Sequence, residues 1–394
     1  MLFSVEKALK LQGERLPFEA TVPAPAEDFS GDLISFDGDV ILRGFMTGIG
    51  DSVTLDGELS ASLVSPCARC LEEARLDMKV PFDEIFVRQP DPDHPDAYLF
   101  EGSEVDLTQL IGLRTEPRYM EYNWRDIALY ALAVGAKAED LQYTYEKVLK
   151  ALPTYGTIPY WGTVNVKPYQ WMPLPASMIA NELIKPTISF LNMDHEIIMH
   201  RPIDPIKGTF QYQDVITDVY DRGEGKGAVI KTRVDVRDEA GNAVCTNYST
   251  TFFHEAGGFG GQPMPKSPVV IPDRPPDVEM DDTISPVQNL LYRLTGDTNL
   301  VHVDPEYARQ MGFESSFMQG LCSFGFACRM AIAALIPGEP ERMTRMAAQM
   351  SSVLYPDTPV RLQLWRVAEK QAYFRLMNLK TEKPVLNRGV FEWK

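Results

Sequence analysis

The sequence has little of what would place it in a membrane, in a disulfide-bonded scaffold or on nucleic acid. No apolar run among its 394 residues approaches the roughly 20 residues that span a bilayer, and no signal-peptide pattern opens the chain. Cysteine is scarce and odd in number, at five residues, which excludes a disulfide framework and favours a reducing compartment. Basic residues number 38 against 55 acidic ones, so we expect no binding to nucleic acid. These shortages predict a soluble, cytoplasmic protein without membrane association.

The acidic excess is concentrated in the N-terminal part of the chain. Residues 1–113 contain 8 Lys or Arg against 22 Asp or Glu, whereas residues 114–394 contain 30 against 33. This asymmetry indicates two units of different origin. Since 44% of all residues are hydrophobic, the chain can also bury a sizeable core.

Strand-like patterns and one apolar run predict the architecture. Alternating apolar residues with Asp-Gly and Gly-Asp breaks fill residues 33–87, and similar patterns recur later in the chain. An apolar run at residues 317–336 predicts a buried helix. A buried helix wrapped by antiparallel strands, preceded by another β-rich half, favours two similar α+β units side by side. The predicted segments are an acidic, β-rich accessory domain at 1–113, a first half at 114–262, a proline-rich linker at 263–276 and a second half at 277–394.

The side chains best suited to acid/base chemistry cluster near residue 300. Asp297, Asn299 and His302 stand within six residues, directly behind a Thr-Gly turn. An imidazole takes and gives protons near neutral pH, a neighbouring carboxylate orients it, and an amide can fix a water molecule. Gly320 stands near the start of the predicted buried helix, where free backbone N–H groups make an oxyanion-hole candidate. This combination predicts the addition of water to an electrophile, or the reverse reaction.

The same residues also fit an ordinary structural interpretation. Thr-Gly-Asp is a common turn sequence, in which Asp297 would bond to its own loop. His302 would then be a core histidine with its hydrogen bonds satisfied. Residue types alone leave both interpretations open.

Longer motifs resemble a known family. The sequence Leu291-Tyr-Arg-Leu-Thr-Gly-Asp-Thr-Asn-Leu-Val-His-Val-Asp-Pro, followed by Gly320-Leu-Cys-Ser-Phe-Gly-Phe-Ala, is similar to the MaoC-like hydratases. Within that family it most resembles the enoyl-CoA hydratase 2 branch, found in peroxisomal multifunctional enzymes. Further matching motifs begin at Trp124, Leu152, Gly257 and Ile271. The resemblance covers about residues 118–394.

The resemblance implies both a fold and a reaction. The fold is an α+β double hot-dog, in which two antiparallel sheets wrap a central helix and the second half carries the chemistry, with an additional β-rich N-terminal domain. The reaction is the reversible hydration of trans-2-enoyl-CoA to (3R)-3-hydroxyacyl-CoA. No metal or redox cofactor is implied, because CoA arrives with the acyl-CoA substrate, and a homodimer is expected.

The resemblance also assigns roles to individual residues. Asp297 and His302 would be the acid/base pair, Asn299 would help hold the water, and the Gly320 amide would polarise the thioester carbonyl. Arg222 stands where a CoA-contacting lysine is expected, and Met350 where a pocket phenylalanine is expected. The predicted substrate-binding residues are His195, Glu196, Arg222 and Met350.

Three residues depart from the family pattern. Leu300 replaces a proline, Gln319 replaces a histidine, and Glu196 replaces a glycine after His195. The acid/base residues are intact. The departures therefore concern the substrate and the rate more than the class of reaction.

The N-terminal unit has a resemblance of its own. Cys67-Ala-Arg-Cys70 and Glu104-Val-Asp-Leu-Thr-Gln-Leu-Ile resemble a truncated form of the YceD family, over about residues 1–111. That family is associated with the accumulation of ribosomal RNA. Two cysteines supply half of the ligands of a structural zinc site, and His94 is the only histidine in this part of the sequence. We therefore expect a reduced thiol pair rather than a metal site, in an accessory module that binds a protein partner.

Two other functions remain open. A hot-dog thioesterase would release free CoA without a hydrated product, although the Asp-x-Asn-x-x-His spacing argues against it. A non-catalytic scaffold would bind acyl-CoA while the acidic module recruits a partner. The sequence sets neither the acyl chain length nor the physiological direction of the reaction.

Overall fold

The chain folds into two compact units, Met1–Val105 and Asp106–Lys394, in the computed structural model. The described residues are 13–22, 35–49, 52–66, 73–87, 98–99, 107–160, 190–223, 226–253 and 257–394. The Cys67–Cys70 pair and His94 lie outside these ranges, so the predicted thiol pair stays a prediction.

The first unit is a six-stranded β-sheet over its described residues. Its strands are β1 (Arg15–Val22), β2 (Ser35–Phe36), β3 (Val40–Ile49), β4 (Ser52–Pro66), β5 (Glu73–Val87) and β6 (Tyr98–Leu99). They lie in the order β1-β3-β4-β5-β6, with β2 paired to β4. Val53, Leu55 and Val87 are buried, whereas residues beside them in sequence are partly exposed, as the alternation of a strand requires. The predicted β-rich character of the N-terminal part is confirmed.

The second unit contains a ten-stranded antiparallel sheet. Its strands are β7 (Arg118–Asn123), β8 (Phe190–Met199), β9 (Lys207–Asp221), β10 (Ala228–Arg237), β11 (Ala243–Phe253), β12 (Val278–Thr283), β13 (Met343–Met350), β14 (Pro359–Ala368), β15 (Gln371–Asn378) and β16 (Lys383–Trp393). The order is β12-β14-β15-β16-β13-β8-β11-β10-β9-β7. Since β13 and β8 pair at the centre, each half contributes five adjacent strands. The repeated halves confirm the double hot-dog fold, but their strands join in one continuous sheet where the resemblance implies two.

Helices of the second unit fill the core beside this sheet. They are α1 (Trp124–Ala133), α2 (Leu141–Thr144), α3 (Gln288–Arg293), α4 (Pro305–Gln310) and α5 (Gly320–Leu335). α5 is buried continuously from Leu321 to Ile332, which confirms the buried helix predicted from its apolar sequence. Gly325 brings α5 close to the end of α1, because a Cβ there would lie 2.4 Å from Val134. None of the helices in the described ranges is long and apolar enough to cross a membrane.

The boundary between the units lies earlier than the sequence predicts. Residues Leu107–Leu110 form a 3-10 turn whose two leucines are buried. The backbone N–H of Gly112 donates to the Ile216 carbonyl oxygen on β9 at 2.8 Å. Residues 107–113 thus make their bonds within the second unit, and the boundary moves from 113 to 105.

An extended segment joins the two halves of the second unit. Residues 257–277 form neither helix nor strand. The Asp221 carboxylate holds their start, because it accepts the N–H groups of Gly258 at 2.9 Å and Gly260 at 2.7 Å. The predicted linker at 263–276 falls inside this segment.

Candidate active site

The turn after α3 brings the predicted acid/base residues together. Gly296 adopts a φ of 140°, a backbone conformation that residues with a Cβ rarely adopt. Asp297 follows directly, and a 3-10 turn at Leu300–His302 returns the chain toward it. The His302 Nε2 atom lies 3.9 Å from the Asp297 Oδ2 atom, and both residues are buried. The local turn therefore builds a carboxylate–imidazole pair.

The other ring nitrogen of His302 fixes the orientation of the imidazole. Nδ1 lies 3.0 Å from the Phe317 carbonyl oxygen. Because a carbonyl oxygen only accepts hydrogen bonds, Nδ1 carries the proton in this bond. In the neutral ring, Nε2 then has a lone pair facing Asp297. The Phe317 ring also packs edge-on against the imidazole, at 4.8 Å between centroids, so the base is held in place.

Burial makes the Asp297 carboxyl group a weaker acid. It raises the pKa of the carboxyl group above its ordinary value, although the neighbouring His302 and the Asn299 backbone N–H act in the opposite direction. That N–H donates to Asp297 Oδ1 at 3.2 Å. A raised pKa makes the carboxyl group a better proton acceptor near neutral pH, which suits acid/base catalysis.

Asn299 shapes the loop between these two residues. Its Oδ1 atom accepts the Val301 N–H at 3.2 Å, which caps the 3-10 turn. Leu300, in place of the family's proline, is exposed within the same turn. The turn thus forms with Leu300 at this position, and the Asn299 side chain caps it. The predicted contact of Asn299 with the attacking water stays a prediction.

Gly320 opens the buried helix beside the acid/base pair. The preceding residue, Gln319, makes no side-chain hydrogen bond to the first turn of α5, so that turn has no side-chain cap. A Cβ on residue 320 would lie 2.5 Å from the Met350 Sδ atom. Met350 therefore lies against Gly320, where the resemblance expects a pocket residue. Phe317, which binds the His302 ring, is only three residues before the helix start.

His195 lies deeper, under the same helix. It is 1% exposed, and its ring contacts Phe324 of α5 at 5.5 Å between centroids. Nε2 is 3.1 Å from Asn247 Oδ1, and Asn247 Nδ2 donates to the Gly156 carbonyl oxygen at 2.9 Å. Burial lowers the pKa of His195 to about 4, so the ring is neutral at physiological pH. His195 is thus a neutral, oriented side chain on β8 that contacts α5 at Phe324, four residues after Gly320.

Glu196 and Arg222 make contacts that do not include the acid/base pair. Glu196 follows His195 on β8, so its side chain points to the opposite face of the sheet. Arg345 Nε donates to Glu196 Oε1 at 2.5 Å. Substrate binding by Glu196 stays a prediction. The guanidinium of Arg222 is exposed and stacks over the Phe252 ring at 4.9 Å. A CoA contact by Arg222 stays a prediction.

Two buried amides connect the parts of the site: Asn289, which sequence reasoning missed, and Gln319, which it noted only as a departure from the family pattern. Asn289 Nδ2 donates to the His302 carbonyl oxygen at 2.7 Å, and Gln319 Nε2 donates to the Asn289 carbonyl oxygen at 3.1 Å. Both amides are buried. The sequence signal that could have identified Asn289 is a polar amide among apolar residues in the short helix α3. A polar side chain that is buried needs a hydrogen-bond partner.

The fold and the site together define a class of protein. A double hot-dog fold carries a buried carboxylate–imidazole pair, and its buried helix α5 starts without a side-chain cap. Such a combination suits the transfer of water and protons at an acyl compound. Within the described ranges, no three His, Cys, Asp or Glu side chains cluster as metal ligands.

Comparisons with known proteins agree with this class. Residues 120–255 match the family described as MFE-2 hydratase 2 N-terminal domain, and residues 268–388 match the MaoC like domain. The 3-hydroxyacyl-thioester dehydratase Y of Mycobacterium tuberculosis is 34% identical over 276 residues, which cover 67% of this chain and 89% of that protein. The chain belongs to the MaoC-like hydratase family, with the two-domain arrangement of its hydratase 2 branch.

Two further relatives extend the comparison. A probable enoyl-CoA hydratase 2 of Dictyostelium discoideum is 28% identical over 300 residues, covering 73% of this chain and 96% of that protein. The crystal structure of a MaoC-like dehydratase from Phytophthora capsici aligns with a TM-score of 0.65 and 28% identity, over 73% of this chain and 97% of that one. The two family matches lie entirely within the second unit.

Proposed function

We propose that this chain catalyses the reversible hydration of trans-2-enoyl-CoA to (3R)-3-hydroxyacyl-CoA. The observation that carries the proposal is the Asp297–His302 pair, at 3.9 Å, beside the open helix start at Gly320. Relatives named as a 3-hydroxyacyl-thioester dehydratase and an enoyl-CoA hydratase support the same reaction.

Gly320 stabilises the negative charge that develops during the reaction. As water adds at C3 of the enoyl thioester, charge moves onto the thioester carbonyl oxygen. The N–H of Gly320 donates to that oxygen, and the positive end of the α5 dipole favours the same charge. Removing one such donor typically lowers the rate by about 10²–10³.

Asp297 and His302 move the protons. A water molecule beside the pair gives a proton to one member as its oxygen bonds to C3, and the pair delivers a proton to C2. The π bond between C2 and C3 breaks, the C3–O and C2–H bonds form, and the enzyme gains no net proton. Dehydration uses the same groups in reverse, so one site serves both directions.

Three further inferences extend this proposal. CoA enters only as part of the substrate, the protein is a homodimer, and it works in the cytoplasm. The family resemblance supports the first two. The small and odd number of cysteines, five in all, supports the third. Light scattering tests the homodimer, since it would give twice the mass of one chain.

The N-terminal unit is proposed to be a YceD-like accessory module that binds a protein partner. Its support is the acidic excess of residues 1–113 and the Cys67-Ala-Arg-Cys70 motif. The family matches begin only at residue 120, so the proposal gives this module no part in the hydration step. A comparison of the hydration rates of the full chain and a variant lacking residues 1–105 tests that separation.

The proposed reaction can be followed by absorbance. Purified protein is mixed with crotonyl-CoA, then with a longer enoyl-CoA, while the enoyl-thioester band and free CoA are recorded. Loss of the band with an R-configured 3-hydroxyacyl product supports the proposal and begins to define chain length. Release of free CoA without a hydrated product would indicate a thioesterase. No change with either substrate, in a folded protein, would favour a non-catalytic scaffold.

A further inference from the structure

Asn289 on α3 bonds to two separate segments of the active site. Its side chain donates to the His302 carbonyl oxygen at 2.7 Å, and its own carbonyl oxygen accepts from Gln319 Nε2 at 3.1 Å. His302 is 13 residues further along the chain and Gln319 is 30 residues further. These two bonds connect the segment that carries the base to the residue directly before Gly320.

Both bonds lie in the protein interior. Asn289 is 4% exposed and Gln319 is 1% exposed. Water therefore cannot readily replace either amide donor, and a lost bond would leave a buried carbonyl oxygen unpaired. The arrangement is consequently a rigid link rather than a pair of exchangeable surface contacts.

We propose that Asn289 and Gln319 are positioning residues that set the spacing between His302 and the Gly320 N–H. The inference rests on the proposed hydration, in which one substrate must meet both groups at once. The thioester oxygen binds at Gly320 while C2 and C3 face Asp297 and His302, and the distance between those atoms is fixed by the substrate. A displacement of about 1 Å in such a site can lower the rate about 100-fold.

The link also accounts for one departure from the family pattern. Gln319 stands where the resemblance expects histidine. Both side chains carry an N–H donor, so a histidine at this position can also donate to the Asn289 carbonyl oxygen. The substitution therefore retains the chemistry of the bond while changing the side chain that makes it.

Gln288 provides a matched control on the same helix. It is also buried, and its Nε2 atom donates to the Leu132 and Ala133 carbonyl oxygens at 2.8 and 2.7 Å. These bonds tie α3 to α1 and include neither His302 nor Gln319. Gln288→Leu therefore removes buried hydrogen bonds from α3 without breaking the proposed link.

The kinetic test compares near-isosteric variants that lack the donor. Asn289→Leu and Gln319→Met are each expected to lower kcat for crotonyl-CoA by about 10- to 100-fold while KM changes less than about twofold. Because the two bonds act in series, the double variant should be no slower than the slower single variant. Gln319→His should stay within about threefold of wild type, and Gln288→Leu should keep the wild-type kcat. Additive losses in the double variant, or an equal loss in Gln288→Leu, would overturn the proposal.

Hydrogen exchange gives a second readout that does not depend on catalysis. Both donor-lacking variants should increase amide exchange in peptides covering residues 298–304 and 317–323, whereas Gln288→Leu should not. Unchanged exchange in those peptides would overturn the link even if the variants were slow. If the wild-type chain hydrates no enoyl-CoA but the exchange result is as expected, the proposed function fails and the link stands.

Discussion

Each half of the double hot-dog buries a helix, and the two helices begin in opposite ways. α1 starts after Asn123, whose Oδ1 accepts the Arg125 N–H at 2.9 Å, while Asp126 Oδ2 accepts the Asn123 N–H at 2.8 Å. α5 starts at Gly320 with no side-chain cap. A capped start satisfies the free backbone N–H groups, whereas an open start leaves them for a ligand. The start of α1 is therefore satisfied within the protein, whereas the start of α5 is the one that the proposed reaction uses.

The histidines of the two halves show the same contrast. His195, in the first half, bonds to Asn247 in the interior, and burial lowers its pKa to about 4. His302, in the second half, faces the Asp297 carboxylate, and the Phe317 carbonyl oxygen fixes its ring. One imidazole is held neutral, and the other is oriented to exchange protons. The proposed chemistry thus draws on the second half of a repeated fold.

Among the tests of this contrast, removal of the Asp297 carboxylate should have the largest effect on kcat. Asp297→Asn keeps the shape of the side chain but cannot accept a proton, so kcat should fall by about 10²–10⁴-fold. Initial rates with crotonyl-CoA measure the loss. Asp126→Asn, in the capping box of α1, is the matched control and should keep the wild-type rate. Equal losses in the two variants would remove the distinction between the halves.

A methyl group at the open helix start should have the next largest effect. The added Cβ in Gly320→Ala would lie 2.5 Å from Met350 Sδ, so that side chain must move and the substrate oxygen can approach less closely. We expect kcat to fall about 10- to 100-fold. The double variant with Met350→Ala separates the two causes, because it removes the clash but keeps the methyl group. A wild-type rate in Gly320→Ala would argue against the oxyanion role.

Because buried His195 is neutral in the folded protein, we expect the folding stability to depend on pH. The pKa of His195 is about 4 in the folded state and ordinarily 6.5, so the unfolded chain takes up the proton first as pH falls. The stabilisation is complete above pH 6.5 and is lost progressively toward pH 4. His195→Gln should reduce this loss of stability, so that Tm falls less between pH 8 and pH 4.5 than it does in the wild type. Identical pH slopes for the two proteins would contradict the buried, neutral state.

Loss of the α1 cap should have the smallest effect. Asn123→Ala removes the side-chain acceptor and should lower the free energy of unfolding by about 1 kcal/mol. Urea unfolding measures this change, and kcat should match that of wild type. A large loss of activity without a loss of stability would show that the capped helix also takes part in the reaction.

Features that are local in sequence could be predicted from it. Asp297 and His302 are separated by one short turn, so their proximity follows from the chain itself. The buried helix was also predictable, because apolar residues on nearly every face exclude a surface position. The predicted run at residues 317–336 differs from the observed Gly320–Leu335 by only a few residues.

Long-range partners could not be predicted in the same way. Glu196 pairs with Arg345 because β8 and β13 align with Ala347 opposite Glu196, and one sequence does not specify that register. Similarly, nothing near Asn289 in the sequence identifies His302 as its partner. Residue type indicated that these side chains need partners, but only the fold shows which ones they have.

The second half of the double hot-dog, which holds Asp297, His302 and Gly320, is proposed to perform the hydration. The most direct test of this proposal is chiral analysis of the product formed from crotonyl-CoA by the wild-type chain and by Asp297→Asn. We expect (3R)-3-hydroxybutyryl-CoA from the wild type and almost none from the folded variant. Equal product from both proteins, or no hydrated product from the wild type, would contradict it.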